Sequence, residues 1–187
     1  MKQSLLLGLV GEKGSGKETF AEVFQKLLPK KRVVHLKFSD LLKETLALWS
    51  LPATRTNLQD LVVIMDNHFG EGTLSEAIYQ RITKIEADII LVDGVRWDSD
   101  IALLNRFSNH KLIYITADLE VRFKRIQKRT EKIGEGESYE QFLKEEQALN
   151  ELAIPRIGKS ADYVIKNNST LAEFKKQIAQ VVKDLLD

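Results

Sequence analysis

The chain has 187 residues, 43% hydrophobic and 29% charged, with a formal net charge of +1 and no cysteine. That length buries one sizeable core and fits a single domain, while the missing cysteine excludes disulfides and thiolate-bound metals and the near-neutral charge argues against coating a nucleic-acid polymer. The first apolar run is too short to cross a bilayer and lacks a secretory cleavage pattern, so a cytoplasmic protein without a membrane partner is the expectation.

Leu5 to Val10 shows no alternation and is bounded by polar residues, the pattern of a central parallel strand buried on both faces. A glycine-rich turn, Gly11 to Gly16, follows it, and the apolar residues from Thr19 to Leu28 recur at helical spacing. The helix from Gly16 should end near Leu28, ahead of Pro29. Val33 to Phe38 reads as a second strand, with Ser39 or Asp40 as N-cap of a helix reaching about Trp49. Asn57 to Phe69 and Thr73 to Ile85 read as helices separated by Gly70 and Gly72. Asp88 to Gly94 holds a second fully buried strand, ending in Asp93. Ser99 to Phe107 reads as a helix and Lys111 to Thr116 as a strand, and Asp118 is a candidate N-cap for a basic helix from Leu119 to about Arg129.

Glu131 to Glu137, with two glycines, reads as a loop, and Ser138 to about Leu152 as one helix with Ser138 and Gln141 as its capping signal. Tyr163 to Ile165 is a short last strand. Leu171 to Leu186 is an amphipathic helix with Leu171, Phe174, Ile178, Val181, Val182 and Leu185 on one face. Trp49 and Trp97 are expected to pack. Strands alternating with helices imply right-handed βαβ units. The expected fold is α/β, a three-layer P-loop NTPase sandwich with a five-stranded parallel sheet and a helical lid. It forms one domain over 1–187, with an acceptor-binding helical insert at about 40–87 and the lid at about 119–150.

The turn itself reads Gly11-Glu12-Lys13-Gly14-Ser15-Gly16-Lys17-Glu18-Thr19. A triphosphate needs many hydrogen-bond donors and little side-chain bulk, which glycines supply by letting backbone N–H groups curl round an anion at the positive end of a helix. Strand before and helix after make this a P-loop, so Gly11, Gly14, Ser15, Gly16, Lys17, Glu18 and Thr19 are the expected ATP contacts, with Lys17 the charge for the outer phosphates. Glu18 stands where a hydroxyl usually holds Mg²⁺. It either helps bind the metal or is a helix-start charge favoured by the macrodipole.

Asp93 closes an apolar run, as does a carboxylate that reaches Mg²⁺. The next residue, Gly94, offers no base to activate water, which favours transfer to a bound acceptor over hydrolysis. No Asn-Lys-x-Asp stretch is present to read guanine, so ATP is the expected nucleotide. Arg122, Arg125 and Arg129 share one helix face. Planar arginines on a closing lid can neutralise the charge that spreads over a transferring phosphoryl group. Arg55, Arg81 and Arg96 are candidates for an acceptor phosphate, Arg96 foremost because it follows the carboxyl end of a strand. Arg81, inside a helix, fits a salt bridge better. Asp40 fits two roles equally, orienting an acceptor hydroxyl or capping a helix. His35, His68 and His110 show no metal spacing.

The segments Gly14 to Ala21, Phe38 to Lys43, Val92 to Arg96, the helix around Arg125 and Ala161 to Asn168 together resemble the nucleoside monophosphate kinase-like branch of P-loop proteins, in particular deoxynucleoside monophosphate kinases and dephospho-CoA kinases. The resemblance covers most of the chain. It implies phosphoryl transfer from ATP with Mg²⁺ to a small nucleotide acceptor, by a monomer or homodimer. It also implies that the loop around Asn167 and Asn168 lies against adenine, although those asparagines equally fit a turn into the last helix. An anionic monophosphate acceptor calls for arginines, and dephospho-CoA for a carboxylate base such as Asp40; three candidate arginines make a nucleoside or deoxynucleoside monophosphate kinase the first reading and dephospho-CoA kinase the alternative. The reading of another class is a P-loop module that senses ATP without turnover.

Overall fold

The unalternating run near the start forms strand β1 (Leu5–Val10), buried from Leu6 onward. In this computed structural model, which describes residues 4–131 and 138–186, helix α1 (Lys17–Leu27) follows, then β2 (Val33–Lys37), α2 (Phe38–Leu48), α3 (Arg55–Phe69) and α4 (Thr73–Ile82). The chain continues through β3 (Ile89–Asp93), α5 (Asp98–Asn105), β4 (His110–Thr116) and α6 (Leu119–Glu131). Three short helices, α7 (Tyr139–Glu146), α8 (Leu149–Leu152) and α9 (Ile154–Gly158), precede β5 (Tyr163–Lys166) and α10 (Leu171–Leu186).

The strands form one five-stranded sheet in the order β2-β3-β1-β4-β5. The sheet is parallel, with Val33 opposite Ile89 through Lys37 opposite Asp93, and Ile113 opposite Tyr163 through Thr116 opposite Lys166. Helices cover both faces, which is why β3 is buried at every position and shows no alternation. The expected sandwich is therefore the observed one.

The chain divides into two compact units, one of residues 1–8 and 31–111, the other of 9–30 and 112–187. In the first, Leu36, Phe38, Leu46, Ile78 and the β3 residues make the core. In the second, Phe20 stacks on Phe24 with ring centroids 5.6 Å apart, and Phe142 and Phe174 are fully buried. Phe123 meets Tyr139 and Phe142 at 4.9 and 5.5 Å, an aromatic contact that fixes α7 on α6.

Several boundaries move. Phe38 is the first residue of α2 rather than the last of β2, so Asp40 lies inside the first helical turn and does not cap it. Burial of Phe38 explains the shift, and Asp40 pairs with Lys43 at 3.2 Å. Helix α4 ends at Ile82, its last buried position, three residues short of Ile85. The single helix expected from Ser138 to Leu152 is broken. Ser138 does cap α7 by accepting from the Gln141 N–H at 3.1 Å, but Ala148 is extended and separates α7 from α8, and Pro155 stands in the first turn of α9, where its missing N–H costs nothing. Trp49 does not pack. It stands at the C-cap of α2, beyond the last buried residue Leu46, and is 75% exposed. Trp97 is also exposed, as is Leu171 at the start of α10.

Candidate active site

The turn between β1 and α1 has the backbone its glycines require. Gly16 is left-handed, with φ 110°, and a Cβ there would come within 2.5 Å of the Asn167 amide nitrogen. Gly11 is buried, and a Cβ on it would run into the main-chain carbonyl of Ile115. Any side chain at either position would force the loop off β4 or off the residue that follows β5. Lys17 Nζ donates to the carbonyls of Gly11 and Glu12, at 2.5 and 3.2 Å, so its charge lies along the loop. Glu18 is exposed in the first turn of α1.

Glu12 carries a role that the sequence reading passed over. Its side chain is only 7% exposed, and Oε1 accepts from the Tyr114 hydroxyl and, at 3.2 Å, from Thr116 Oγ1. Two β4 side chains thus anchor the first half of the loop. Burial, with that bond to Glu12 as the next cause, pushes the Tyr114 phenol up to about 12, so it stays a donor at any physiological pH. A glutamate inside a loop meant for anions was the available clue.

The basic helix α6 meets the same loop. Arg122 is 5% exposed, and it donates from Nε to Ala117 O at 3.0 Å, from Nη1 to Lys13 O at 3.2 Å, and from Nη2 to Glu146 at 2.6 Å. Lys13 reaches Glu145 at 2.8 Å. Helix α7 therefore braces the loop with two adjacent carboxylates. No sequence signal singled out either one. Arg125 donates from Nη2 to the main-chain oxygen of Asn167 at 2.8 Å and to its Oδ1 at 3.2 Å, while Nη1 is buried without a hydrogen-bond partner among the described residues. Burial lowers the Arg125 pKa from the usual arginine value. Asn168 is exposed, and its Oδ1 accepts from the Asp118 N–H at 2.7 Å. Arg129 lies on α6, but its side chain is outside the described ones, as are Lys132 and the rest of the glycine-bearing loop through Glu137.

In the other unit, Asp93 ends β3 and its carboxylate lies 3.4 Å from His35 Nε2. The pairing of β2 with β3 brings these two together, which no spacing in the sequence reveals. Arg96 is half-buried on the connection between β3 and α5, and that connection is held by Asp100. The buried Asp100 carboxylate accepts the Arg96 and Trp97 N–H groups at 2.8 and 3.0 Å and the Ser75 hydroxyl at 2.6 Å. Arg81 is committed to Glu44 in a two-pronged pair at 2.9 and 2.5 Å, as its place in a helix suggested. Arg55 begins α3 behind the cap Thr54, and its side chain is outside the described ones.

Burial raises the Asp100 pKa above the usual aspartate value, and its hydrogen bonds only partly oppose this. The folded state thus holds the Asp100 proton more tightly than the unfolded chain does. Stability from this group is present at low pH and is lost as pH climbs from the ordinary aspartate value through the raised one. Asp100→Asn keeps an acceptor for both N–H groups and can donate to Ser75. We expect it to remove that fall in urea-denaturation stability above about pH 4, and an identical pH profile in the variant would contradict the assignment.

The loop fits a nucleotide phosphate. Gly16, at the N-cap of an 11-residue helix, brings no side chain to cap it, and Lys17 supplies the cation. Among the described residues no cluster of three or more His, Asp or Glu side chains could hold a metal alone.

Comparison with known proteins agrees at the level of fold. A shikimate kinase from Acinetobacter baumannii, solved in complex with shikimate, superimposes with a TM-score of 0.60 at 17% identity, over 98% of this chain and 95% of that one. This is the P-loop kinase fold. A gluconokinase from Sinorhizobium meliloti shares it, with a TM-score of 0.56 at 16% identity, over 99% of this chain and 96% of the other. In sequence the chain is 28% identical over 181 residues to a UPF0200 protein of Sulfurisphaera tokodaii, covering 97% of each. No protein-family profile matches. No helix among the described residues is long and apolar enough to cross a membrane.

Proposed function

We propose that the protein is an ATP-dependent phosphotransferase acting on a small anionic acceptor. The observation that carries this is the loop itself, held by Gly11 and Gly16 at the N-terminus of α1 with Lys17 folded along it, in a chain with the P-loop kinase fold. Bound ATP would supply the phosphoryl group, and Mg²⁺ would neutralise part of its charge. Lys17 follows the charge on the outer phosphates, and Arg125 offers its second guanidinium nitrogen to them. Arg122 is assigned to bracing the loop rather than to a ligand, because each of its three guanidinium nitrogens already donates within the protein, to Ala117, Lys13 and Glu146. Asp93 is assigned to the metal, and Glu18 to an outer contact with it through water.

For the acceptor, a nucleoside or deoxynucleoside monophosphate remains the first reading, with Arg96 and Arg55 for its phosphate. The commitment of Arg81 to Glu44 supports a second one. With one arginine fewer, the anionic group to be gripped can be a single carboxylate on a hydroxyl-bearing acid, the type of molecule bound in the shikimate kinase structure. A turnover screen with ATP and Mg²⁺ over nucleoside monophosphates, dephospho-CoA, shikimate and gluconate tests both. ADP formation that depends on one acceptor class is expected. ATP binding with no acceptor-dependent turnover would favour a sensor of ATP instead.

Arg96→Ala should raise the acceptor KM about tenfold or more while the KM for ATP changes little, since one charge-assisted contact is worth about 1.5–3 kcal/mol. An unchanged acceptor KM would place the acceptor's anionic group elsewhere.

A further inference from the structure

The nucleotide loop and the arginine of α6 share one residue, Asn167, just past β5. It is 6% exposed, and its own N–H donates to Thr116 O at 2.7 Å, which fixes its backbone on β4. Its amide has two different partners. Nδ2 donates to the Ser15 carbonyl at 2.8 Å, and Oδ1 accepts from Arg125 Nη2 at 3.2 Å, next to the 2.8 Å bond from the same nitrogen to the Asn167 carbonyl. Turning the amide over would set donor against donor at Arg125 and acceptor against acceptor at Ser15, so both neighbours select one orientation. The left-handed Gly16 leaves room for that amide, since a Cβ there would crowd Nδ2.

We propose that Asn167 is a positioning residue that sets the nucleotide loop and Arg125 as one unit, so that neither takes its binding geometry without the other. The functional part of this rests on the reading of the loop as an ATP site. With Nη2 held by Asn167, the Arg125 guanidinium is fixed in rotation, and its buried Nη1, without a partner among the described residues, is aimed rather than free to swing. The donor that holds Ser15 O is what only an amide can offer here. Aspartate has the same shape and keeps the acceptor for Arg125, but turns a carboxylate oxygen on the Ser15 carbonyl.

Two measurements test the link. In ATP titration calorimetry, Asn167→Asp and Asn167→Ala should each weaken binding about tenfold, the loss of one buried hydrogen bond with its partner left unsatisfied. Arg125→Ala should weaken it similarly in the wild-type background and clearly less when added to Asn167→Ala, which keeps the residue-167 carbonyl for Nη2 but removes the Oδ1 acceptor and the Nδ2 tie to Ser15, so that the arginine and the loop no longer set each other. A residue that merely stabilised the fold would lower the melting temperature and leave the Arg125→Ala factor the same in both backgrounds. That result, or wild-type ATP affinity in a folded Asn167→Asp variant, overturns the proposal. The second measurement needs no ligand. Amide hydrogen exchange over residues 12–18 should speed up in Asn167→Asp and in Arg125→Ala, and unchanged exchange in both overturns the link. If the wild-type protein binds no ATP, the reading of the site fails while the exchange data still decide the role of Asn167.

Discussion

Lys17→Ala is expected to give a folded protein whose phosphoryl-transfer kcat/KM falls on the order of a hundredfold or more, the effect of removing one preorganised cation from developing charge. The fold should survive. Lys17 is half-buried at the surface of the loop, where its Nζ donates to Gly11 O and Glu12 O, so its loss opens no core cavity. Lys17→Arg should not rescue the rate, because a broad planar fork cannot follow the compact ammonium into a loop shaped by glycines. Steady-state kinetics with the acceptor found in the screen, alongside a melting curve, make the comparison. Near-normal turnover in Lys17→Ala would remove the catalytic assignment of the loop.

The second large effect is on stability. Arg122→Ala deletes a buried cation that serves Ala117 O, Lys13 O and Glu146 together and sits 5.6 Å from the centre of the Phe142 ring. Breaking a buried pair by removing one partner costs about 3–5 kcal/mol, because the other charge stays behind without compensation. We expect urea denaturation to show a loss in that range. Arg122→Met combined with Glu146→Leu should be much less damaging than Arg122→Met alone, since no stranded charge remains. Equal losses in the single and double variants would mean that Glu146 is solvated and the pair contributes little. The ATP affinity of Arg122→Ala should also drop, as the Lys13 carbonyl loses its brace.

The loop was legible because its determinants are local. Positive φ at Gly14 and Gly16, a strand before and a helix after are all set within about twenty residues. The identity of the arginine helix was legible too, through the 122, 125, 129 spacing. What each arginine does was not, since side-chain partners are chosen across the fold. Arg122 is taken by Glu146 and by the carbonyl of Lys13, far away in the chain, and Arg125 by Asn167. For the loop around Asn167 and Asn168, resemblance offered adenine and the residues themselves a turn, and neither reading contained the bonds of Asn167 to Ser15 and Arg125. Asp40 shows how little displacement suffices. Starting α2 at Phe38 moves this carboxylate from a strand end into a helical turn, because the large apolar residue has to reach the core.

By itself the sequence determined the parallel α/β sandwich, through continuous apolar strands alternating with helical periodicity, and it determined the glycine-rich turn between β1 and α1 through its glycines. These are properties of backbone geometry and short-range pattern, which neighbouring residues impose on one another. Only the tertiary structure decided that Glu12 is anchored by Tyr114 and Thr116, that His35 stands beside Asp93, that Arg81 belongs to Glu44, and that α7 braces the loop through Glu145 and Glu146. Each of those is a pairing of charges or hydrogen-bonding groups brought together by strand register and helix packing, and such a pairing leaves no periodic trace along the chain.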